Sequence, residues 1–495
     1  MAFAGLDVGT SGSKMLVYDL NGRILLKVSR RYEETGTGGH RELDPAMVLS
    51  RVEEILREVG DTCPEPIEAM AVTSLGESVV CLDEKGRPLY PSMLTGDMRG
   101  VPETKELIEK AGRERIFRTT GLPPNELYGL PKYMWLNRNT DAIRKAAAIF
   151  YYEDFIGYML TGKRKVSFSS AARSLAFDIR SEKWDEELLS YAGIRLEQMS
   201  EPVKPCTVIG RIRPEVAKRL HLNPEMEVVA GGHDQTCAAL GSGLIRPEDG
   251  ECGMGTCEFL FAMLPEAMMT SYMADNDFTC IPYVVPGTFL TSLEITTCGA
   301  LKNWASDRIF RDLKEKLESR GESFYEYMDG KAKDLRTEVL VLPQFGSSGN
   351  PDLSMDKRGT IAGLTIHTRP EEIWLAILEG LGFQMYLSYE RLLKTGVRMN
   401  RMVLTGGGAA SRLTCQLRAD IFNMNVCTLQ SEESGTMGCM LMAATAKGAY
   451  PSLEEGIRRA VKIEREYRPN EEMHQYYMQK FERYRKLYEL MHEFM

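Results

Sequence analysis

"FAGLDVGTSGSKMLVYDLNGRILLKV", residues 3–28, holds an acid, a glycine turn rich in hydroxyls and a lysine. Two familiar phosphate loops fail to describe it. Walker A requires Gly-x-x-x-x-Gly-Lys-Ser/Thr, but here Ser13 separates Gly12 from Lys14. The dinucleotide fingerprint requires Gly-x-Gly-x-x-Gly leading into a helix, and it does not fit either. The residues after the loop are more telling. Lys14 to Asp19 are mostly apolar or aromatic, and Asn21-Gly22 then introduces "RILLKV". Asn-Gly between two apolar runs is a strong hairpin signal, because a type I′ turn needs positive φ twice. The predicted order is strand, glycine turn, strand, Asn-Gly turn, strand. A nucleotide loop between antiparallel strands belongs to neither of those two folds. The plainer alternative is a β-meander with a Gly/Ser turn.

Composition sets the outer limits. A chain of 495 residues exceeds the size at which single cores stop growing, so two domains are expected. With 43% hydrophobic and 26% charged residues it reads as an ordinary soluble globular protein. A net charge of −9 argues against nucleic acid as a partner. Met1-Ala2-Phe3 runs straight into a strand without a signal-peptide pattern, and no apolar run approaches membrane-spanning length. The 11 cysteines are scattered, odd in number and without a C-x-x-C pair. Free thiols in a reducing cytoplasm are expected, rather than a disulfide scaffold or a zinc site. Most of the 28 methionines read as adaptable core filler.

Further along, Asp44-Pro45 reads as an N-cap followed by proline at the first helical position. Val48, Val52, Ile55, Leu56 and Val59 follow at helical spacing, with Gly60 as the expected stop. "IEAMAVTSLGESVVCLDEKGRPL" predicts two short strands around Ser74-Leu75-Gly76-Glu77, and residues 102–160 read as largely helical. "EVVAGGHDQTCAALGSG" predicts strand, glycine turn and helix, with Asp234 near the helix start. "ECGMGTCEFLFAML" predicts a hairpin turning at Gly255-Thr256, a loose echo of the opening one. "RMVLTGGGAASRLTCQLRADIF" is again strand, glycine turn and helix. These imply two related α/β domains, 1–243 and 244–495, facing one cleft.

Phosphoryl transfer works mainly by positioning and charge neutralisation, with a carboxylate to take the acceptor's proton. Thr10, Ser11, Ser13 and Lys14 suit phosphate, with the Gly9 and Gly12 amides as an anion nest. Asp7 ends a strand, where it suits Mg²⁺ held through water. Gly255-Thr256 suits a grip on the phosphates from the other domain. Asp234 follows Gly231-Gly232, which let a substrate approach closely, and Gln235 beside it can orient a hydroxyl. Asp234 is the candidate base, against the plainer reading that it caps its helix. His233 reads as a polar neighbour rather than a metal ligand. "GGGAAS", 406–411, matches a nucleotide glycine loop only in part.

In this order along nearly the whole chain, the motifs resemble the FGGY carbohydrate kinase family. "GTIAGLTIHTRPEEIWLAILE", 359–379, fits its long C-terminal signature. "KYMWLNRN", 132–139, fits the core of its N-terminal one, with Gly129 where Pro, Ser or Thr is expected. "DVGTSGSK" and "GMGT" resemble its two phosphate motifs, "GGHDQ" the motif of its catalytic aspartate, and "GGGAASRLTCQLRADI" its adenosine motif. The resemblance implies two ribonuclease H-like, actin-like ATPase domains around a central cleft, binding ATP, Mg²⁺ and a sugar. It makes Asp234 the general base and places Glu77, Asp97, His233 and Gln235 at the sugar, with Arg99 close by. Gly9, Thr10, Ser11, Lys14, Gly255, Thr256, Gly299, Asn303, Gly407, Gly408, Ala409 and Ser411 are implied to contact the nucleotide. A homodimer is compatible with the sequence.

The substrate motif departs from the best-known members. Xylulokinases carry Met-His-Gly where this chain has Ser74-Leu75-Gly76, and glycerol kinases carry Arg-Glu where it has Gly76-Glu77. The lead substrate is a ketopentose or related ketose, ahead of another polyol or deoxy sugar. An actin-like ATPase or a silent sugar sensor on the same fold are the readings outside sugar chemistry.

Overall fold

The structure is a computed structural model that describes residues 1–350 and 354–494. The opening stretch forms β1 (Ala2–Val8), β2 (Gly12–Tyr18) and β3 (Ile24–Arg31), paired antiparallel with Asp7 opposite Lys14. The Asn-Gly turn differs from type I′, because only Gly22 has positive φ (77°). The Asp19 carboxylate accepts from the Asn21 and Arg23 amides at 2.8 and 3.0 Å, closing a longer turn that a single left-handed glycine completes. Asp44 caps α1 (Pro45–Thr62) by accepting from the Ala46 amide. Gly60 does not stop that helix. A Cβ there would lie 2.2 Å from the Leu220 carbonyl oxygen, so the glycine serves packing instead.

The chain then adds β4 (Ile67–Ser74), α2 (Gly129–Asn139) and α3 (Tyr152–Thr161). The expected helical region 102–160 is interrupted by a strand at Ala148–Tyr151. After β5 (Val208–Arg211) and β6 (Glu227–His233), helix α4 (Asp234–Gly241) ends the first half. The first sheet runs β5-β6-β4-β1-β2-β3, with β1, β4 and β6 parallel.

The second half repeats this plan. Strands β7 (Asp249–Met254), β8 (Glu258–Leu264), β9 (Ile281–Pro282) and β10 (Phe289–Ile295) are followed by α5 (Cys298–Trp304) and α6 (Pro370–Leu393). Then come β11 (Arg401–Thr405), α7 (Arg412–Phe422), β12 (Asn425–Leu429), α8 (Ser434–Ala446), β13 (Ile463–Tyr467) and α9 (Glu471–Phe494). This sheet runs β9-β10-β8-β7-β11-β12-β13, again an antiparallel meander followed by two parallel strands. The echo between the two hairpins is thus a repeat of the whole sheet plan.

Helix α8 knits the halves together. It packs on β1 and β4 of the first sheet and crosses α4. A Cβ on Gly438 would sit 2.0 Å from the Cys237 carbonyl oxygen, and one on Gly241 1.9 Å from that of Ser434, so both crossing residues must be glycine. Tyr18 and Thr436 hydroxyls meet at 2.7 Å in the same contact.

The second core buries a carboxyl on β7. Glu251 is 3% exposed and accepts from the Thr405 hydroxyl at 2.7 Å. Burial pushes its pKa from 4.5 up to about 7. Its pKa is raised in the folded state, so the favourable contribution holds at low pH and is lost as pH rises through about 7. Glu251→Gln is therefore expected to stabilise the protein at pH 8, by up to about 3 kcal/mol, and to change little at pH 5. Urea unfolding at the two pH values checks this, and equal midpoints at pH 8 would contradict it.

Candidate active site

Three parallel strands end together. Asp7 lies beside Thr73, Thr73 beside Gly232, and Ser74 beside His233. Their C-terminal ends therefore bring Asp7, the Ser74–Glu77 segment and His233-Asp234 to one edge, the edge where open α/β sheets bind ligands. A cavity of about 390 Å³ opens there. Thr10, Glu77, Arg173, Asp234 and Gln235 line it from the first half and Glu294 from the second.

Asp234 is the first residue of α4, and the helix has no side-chain cap. A capping carboxylate would accept from the second or third amide of the helix. The Asp234 carboxylate instead takes the adjacent Gln235 amide at 2.6 Å. Its side chain stays 36% exposed to the cavity. Deep placement, then the charges of Asp7 and Glu77, raise its pKa to about 7. That is the range in which a carboxylate works best as a base at neutral pH. His233 is held near 3 by burial and then by Arg173, so its imidazole is neutral, with Nε2 3.1 Å from the Asp234 carboxylate. Its Nδ1 has no hydrogen-bond partner among the described residues.

Glu77 reaches the cavity but is already engaged. Arg173 Nε donates to it at 2.7 Å, Arg173 Nη2 makes a second contact, and Thr95 donates at 2.8 Å. Burial would raise its pKa, but Arg173 and its cationic neighbours outweigh that and hold it near 2. Arg173 also stacks over Tyr128, 4.8 Å from the ring centre. Lys132 on α2 is fully buried beneath this pair, with Nζ 3.3 Å from the Glu77 carbonyl, and burial lowers its pKa to about 8. Asp97 and Arg99 are not brought to the cavity lining. They pair with each other at 2.7–2.8 Å, Asp97 also takes the Arg41 amide, and Arg99 lies over Trp135. A carboxylate satisfied by a guanidinium and an amide is spent on holding its own loop.

Each half carries one glycine hairpin, turning at Gly9–Gly12 in the first and at Gly255-Thr256 in the second. In the first, the Gly9 amide bonds the Gly12 carbonyl at 3.0 Å, Thr10 lines the cavity and Ser11 is exposed. Lys14 sits 2.8 Å from Glu433 and 3.5 Å from Asp7. In the second, the Gly299 amide caps the Gly255-Thr256 turn, bonding both carbonyls at 3.1 and 2.9 Å. A Cβ at Gly299 would fall 2.5 Å from the Gly255 oxygen, so α5 can dock on the turn only through glycine. Gly407, Gly408 and Ala409 form a short 3₁₀ turn after β11, with Gly408 against Met254 at the end of β7. Ser411 caps α7 and donates to Asp329 at 2.6 Å, while the Asn303 amide oxygen is taken by the Tyr325 hydroxyl.

Among the described residues no group of three acidic, histidine or cysteine side chains could enclose a metal ion. Mg²⁺, if used, would keep several waters and take its other ligands from phosphate, and so needs few protein ligands. Asp7, whose carboxylate is countered by Lys14 at a distance of 3.5 Å, is the residue that would hold it.

Arg173, Lys132 and Glu294 were invisible in the sequence as site residues. Arg173 lies 96 residues from the Glu77 it pairs with, so no local spacing connects them. Lys132 opens the signature "KYMWLNRN", which was the one available signal.

Comparison with known proteins gives the same picture over the full chain. The chain is 28% identical over 459 residues to a xylulose kinase of Lactococcus lactis, covering 91% of this chain and 89% of that one. It is 25% identical over 504 residues to an autoinducer-2 kinase of Salmonella typhimurium, at 98% and 93% coverage. The solved xylulose kinase of Rhodospirillum rubrum superposes with a TM-score of 0.90, covering 100% of this chain and 99% of that one at 22% identity, which establishes the fold. No helix among the described residues is long and apolar enough to cross a membrane. The N-terminal domain of the FGGY family of carbohydrate kinases matches residues 2–241 and its C-terminal domain residues 250–447, so the chain belongs to that family and is a carbohydrate kinase that uses ATP.

Proposed function

We propose that this enzyme phosphorylates an uncharged ketose, with a ketopentose as the leading substrate and Asp234 as the base. The observation that carries this is the Asp234 carboxylate, uncapped, open to a sugar-sized cavity and held near neutral pKa. It would take the proton of the attacking hydroxyl while Gln235 orients that hydroxyl. Both guanidinium groups in the cavity are already paired, Arg173 with Glu77 and Arg113 with Asp277 at 2.6 Å. Asp234 and Glu294 add further carboxyls. An aldonate or other anionic sugar would meet a net acidic wall, whereas neutral hydroxyls can donate to it. The xylulose kinase relatives support the ketopentose assignment.

The first half, to residue 243, would hold the sugar, the first phosphate hairpin and the base. The second, from 244, would supply the other hairpin and the adenosine turn. Thr10, Ser11, Lys14 and Thr256 would contact the phosphates, and Asp7 would hold the Mg²⁺ that supplies neutralisation of their charge. All eleven cysteines are free, which supports a reducing, cytoplasmic setting.

The test is to count ADP and sugar phosphate together over pentuloses, hexuloses, polyols and gluconate. A kinase that assembles its site around sugar hydrolyses ATP slowly alone and releases ADP matched by sugar phosphate with the right ketose. Gluconate is expected to be inert. Free phosphate matching ADP throughout the panel would sink the assignment.

A further inference from the structure

One wall of the cavity that holds Asp234 comes from the second half, and strand alternation decides what it presents. In the antiparallel pair β8–β10, Phe259 lies opposite Glu294 and Phe261 opposite Ser292. Successive side chains on a strand point to opposite faces. Leu260, Leu293 and Ile295 accordingly fill the core, while Phe259, Phe261, Ser292 and Glu294 line the cavity. Thr279 and Ser292 satisfy each other, with hydroxyls 2.9 Å apart. Glu294 differs from them. Among the described residues, no hydrogen bond or ion pair engages its carboxylate.

Its backbone is nevertheless tightly held. The Glu294 amide donates to Asn350 Oδ1 at 2.8 Å, and Asn350 Nδ2 donates in turn to the Asp277 carbonyl at 2.9 Å. Ser388 on α6 donates to the Asn350 carbonyl at 2.7 Å. Glu294 is thus a carboxyl on a rigid strand, turned into a polar cavity and left without a partner among the described residues. Burial raises its pKa to about 7, with Arg173 opposing from the other wall. Leaving a mostly buried carboxyl unpaired is costly, and such a group is retained where a ligand satisfies it.

We propose that Glu294 reads the far end of the sugar, accepting a hydrogen bond from a hydroxyl remote from the one phosphorylated and so selecting ketoses long enough to span the cavity. This rests on the reading that Asp234 meets the reacting hydroxyl. A ketose held at both ends touches both halves, so length discrimination should come from the second half, although the base belongs to the first.

The experiment compares kcat/KM for a five-carbon and a four-carbon ketose in the wild type, Glu294→Gln and Glu294→Ala, with the KM for ATP followed in parallel. The expected loss on the five-carbon sugar is about 10- to 100-fold and lies mainly in KM. The preference for five carbons over four should shrink by the same factor, with little change in the KM for ATP. A purely structural role would lower both sugars together and leave the preference intact, which would overturn the inference. Should either variant fail to fold, Glu294→Asp keeps the charge one methylene short and must show a partial loss of the preference. A wild type inactive on every ketose and polyol would overturn the kinase reading and this inference with it. An active wild type whose preference survives in the variants overturns the inference alone.

Discussion

Asp234→Asn is expected to lower kcat by about 10²- to 10⁴-fold while the sugar KM moves far less. Asparagine keeps the size and polarity of the side chain but cannot take a proton. The Gln235 amide donates to this position, and the asparagine carbonyl oxygen can still accept from it, so binding geometry should persist. The pH profile gives a second readout. Burial, with Asp7 and Glu77, holds the Asp234 carboxyl at about 7, so below that pH it is protonated and cannot act as base. Wild-type kcat/KM should therefore rise with pH through this region, and the part due to Asp234 should vanish in Asp234→Asn. Near-normal turnover in the variant would reduce Asp234 to a structural residue.

Arg418→Met is expected to destabilise the protein by about 3–5 kcal/mol, the usual cost of stripping one partner from a buried ion pair. Arg418 on α7 and Glu258 on β8 are 1% and 0% exposed, and the guanidinium grips both carboxylate oxygens at 2.8–2.9 Å. Cys252 Sγ donates to the same carboxylate at 3.3 Å. Without Arg418, Glu258 would have to bury an uncompensated charge or take up a proton. The pair also ties the Gly255-Thr256 hairpin to the helix that follows the Gly407–Ala410 turn, so on the proposed reading the loss should weaken ATP binding as well. Adding Glu258→Leu to Arg418→Met should recover most of the stability, because apolar groups of similar volume can replace a buried pair at little cost. Urea midpoints of the two single variants and the double variant measure this. A single-variant loss below about 1 kcal/mol would show that the pair is not the anchor described.

Both hairpins, the helix after Asp44-Pro45 and the strand–turn–helix units at Asp234 and at 406–411 were legible from the sequence, because strand alternation, Asn-Gly, Asp-Pro and glycine turns are local signals, whereas the repeated sheet plan showed there only as a loose echo. The Asn21-Gly22 turn was located correctly but its type was not. Asp19 closes the turn through its own carboxylate, so Asn21 never needs positive φ. Gly60 carries the same lesson. A glycine signals either chain conformation or close packing, and only the neighbour, here the Leu220 carbonyl, tells which.

The candidate site divides along the same line. The strand-end positions of Asp7 and Asp234 were readable, since each follows a run of β-forming residues and stands at a glycine turn. Whether a carboxylate there is available was not readable. Asp97 and Glu77 look alike in sequence, yet Asp97 is consumed by Arg99 and the Arg41 amide, while Glu77 reaches the cavity and is held by an arginine 96 residues away. Glu258 and Glu294 face each other's strands in one ladder, but one side of that ladder is core and the other is cavity. Sequence by itself determined the strand and helix plan and the residue types offered at each turn, because backbone preference and hydrophobic period act over a few residues. Only the tertiary structure decided which carboxylates are paired, buried or open to substrate, because charge pairing and desolvation depend on groups that meet across the fold.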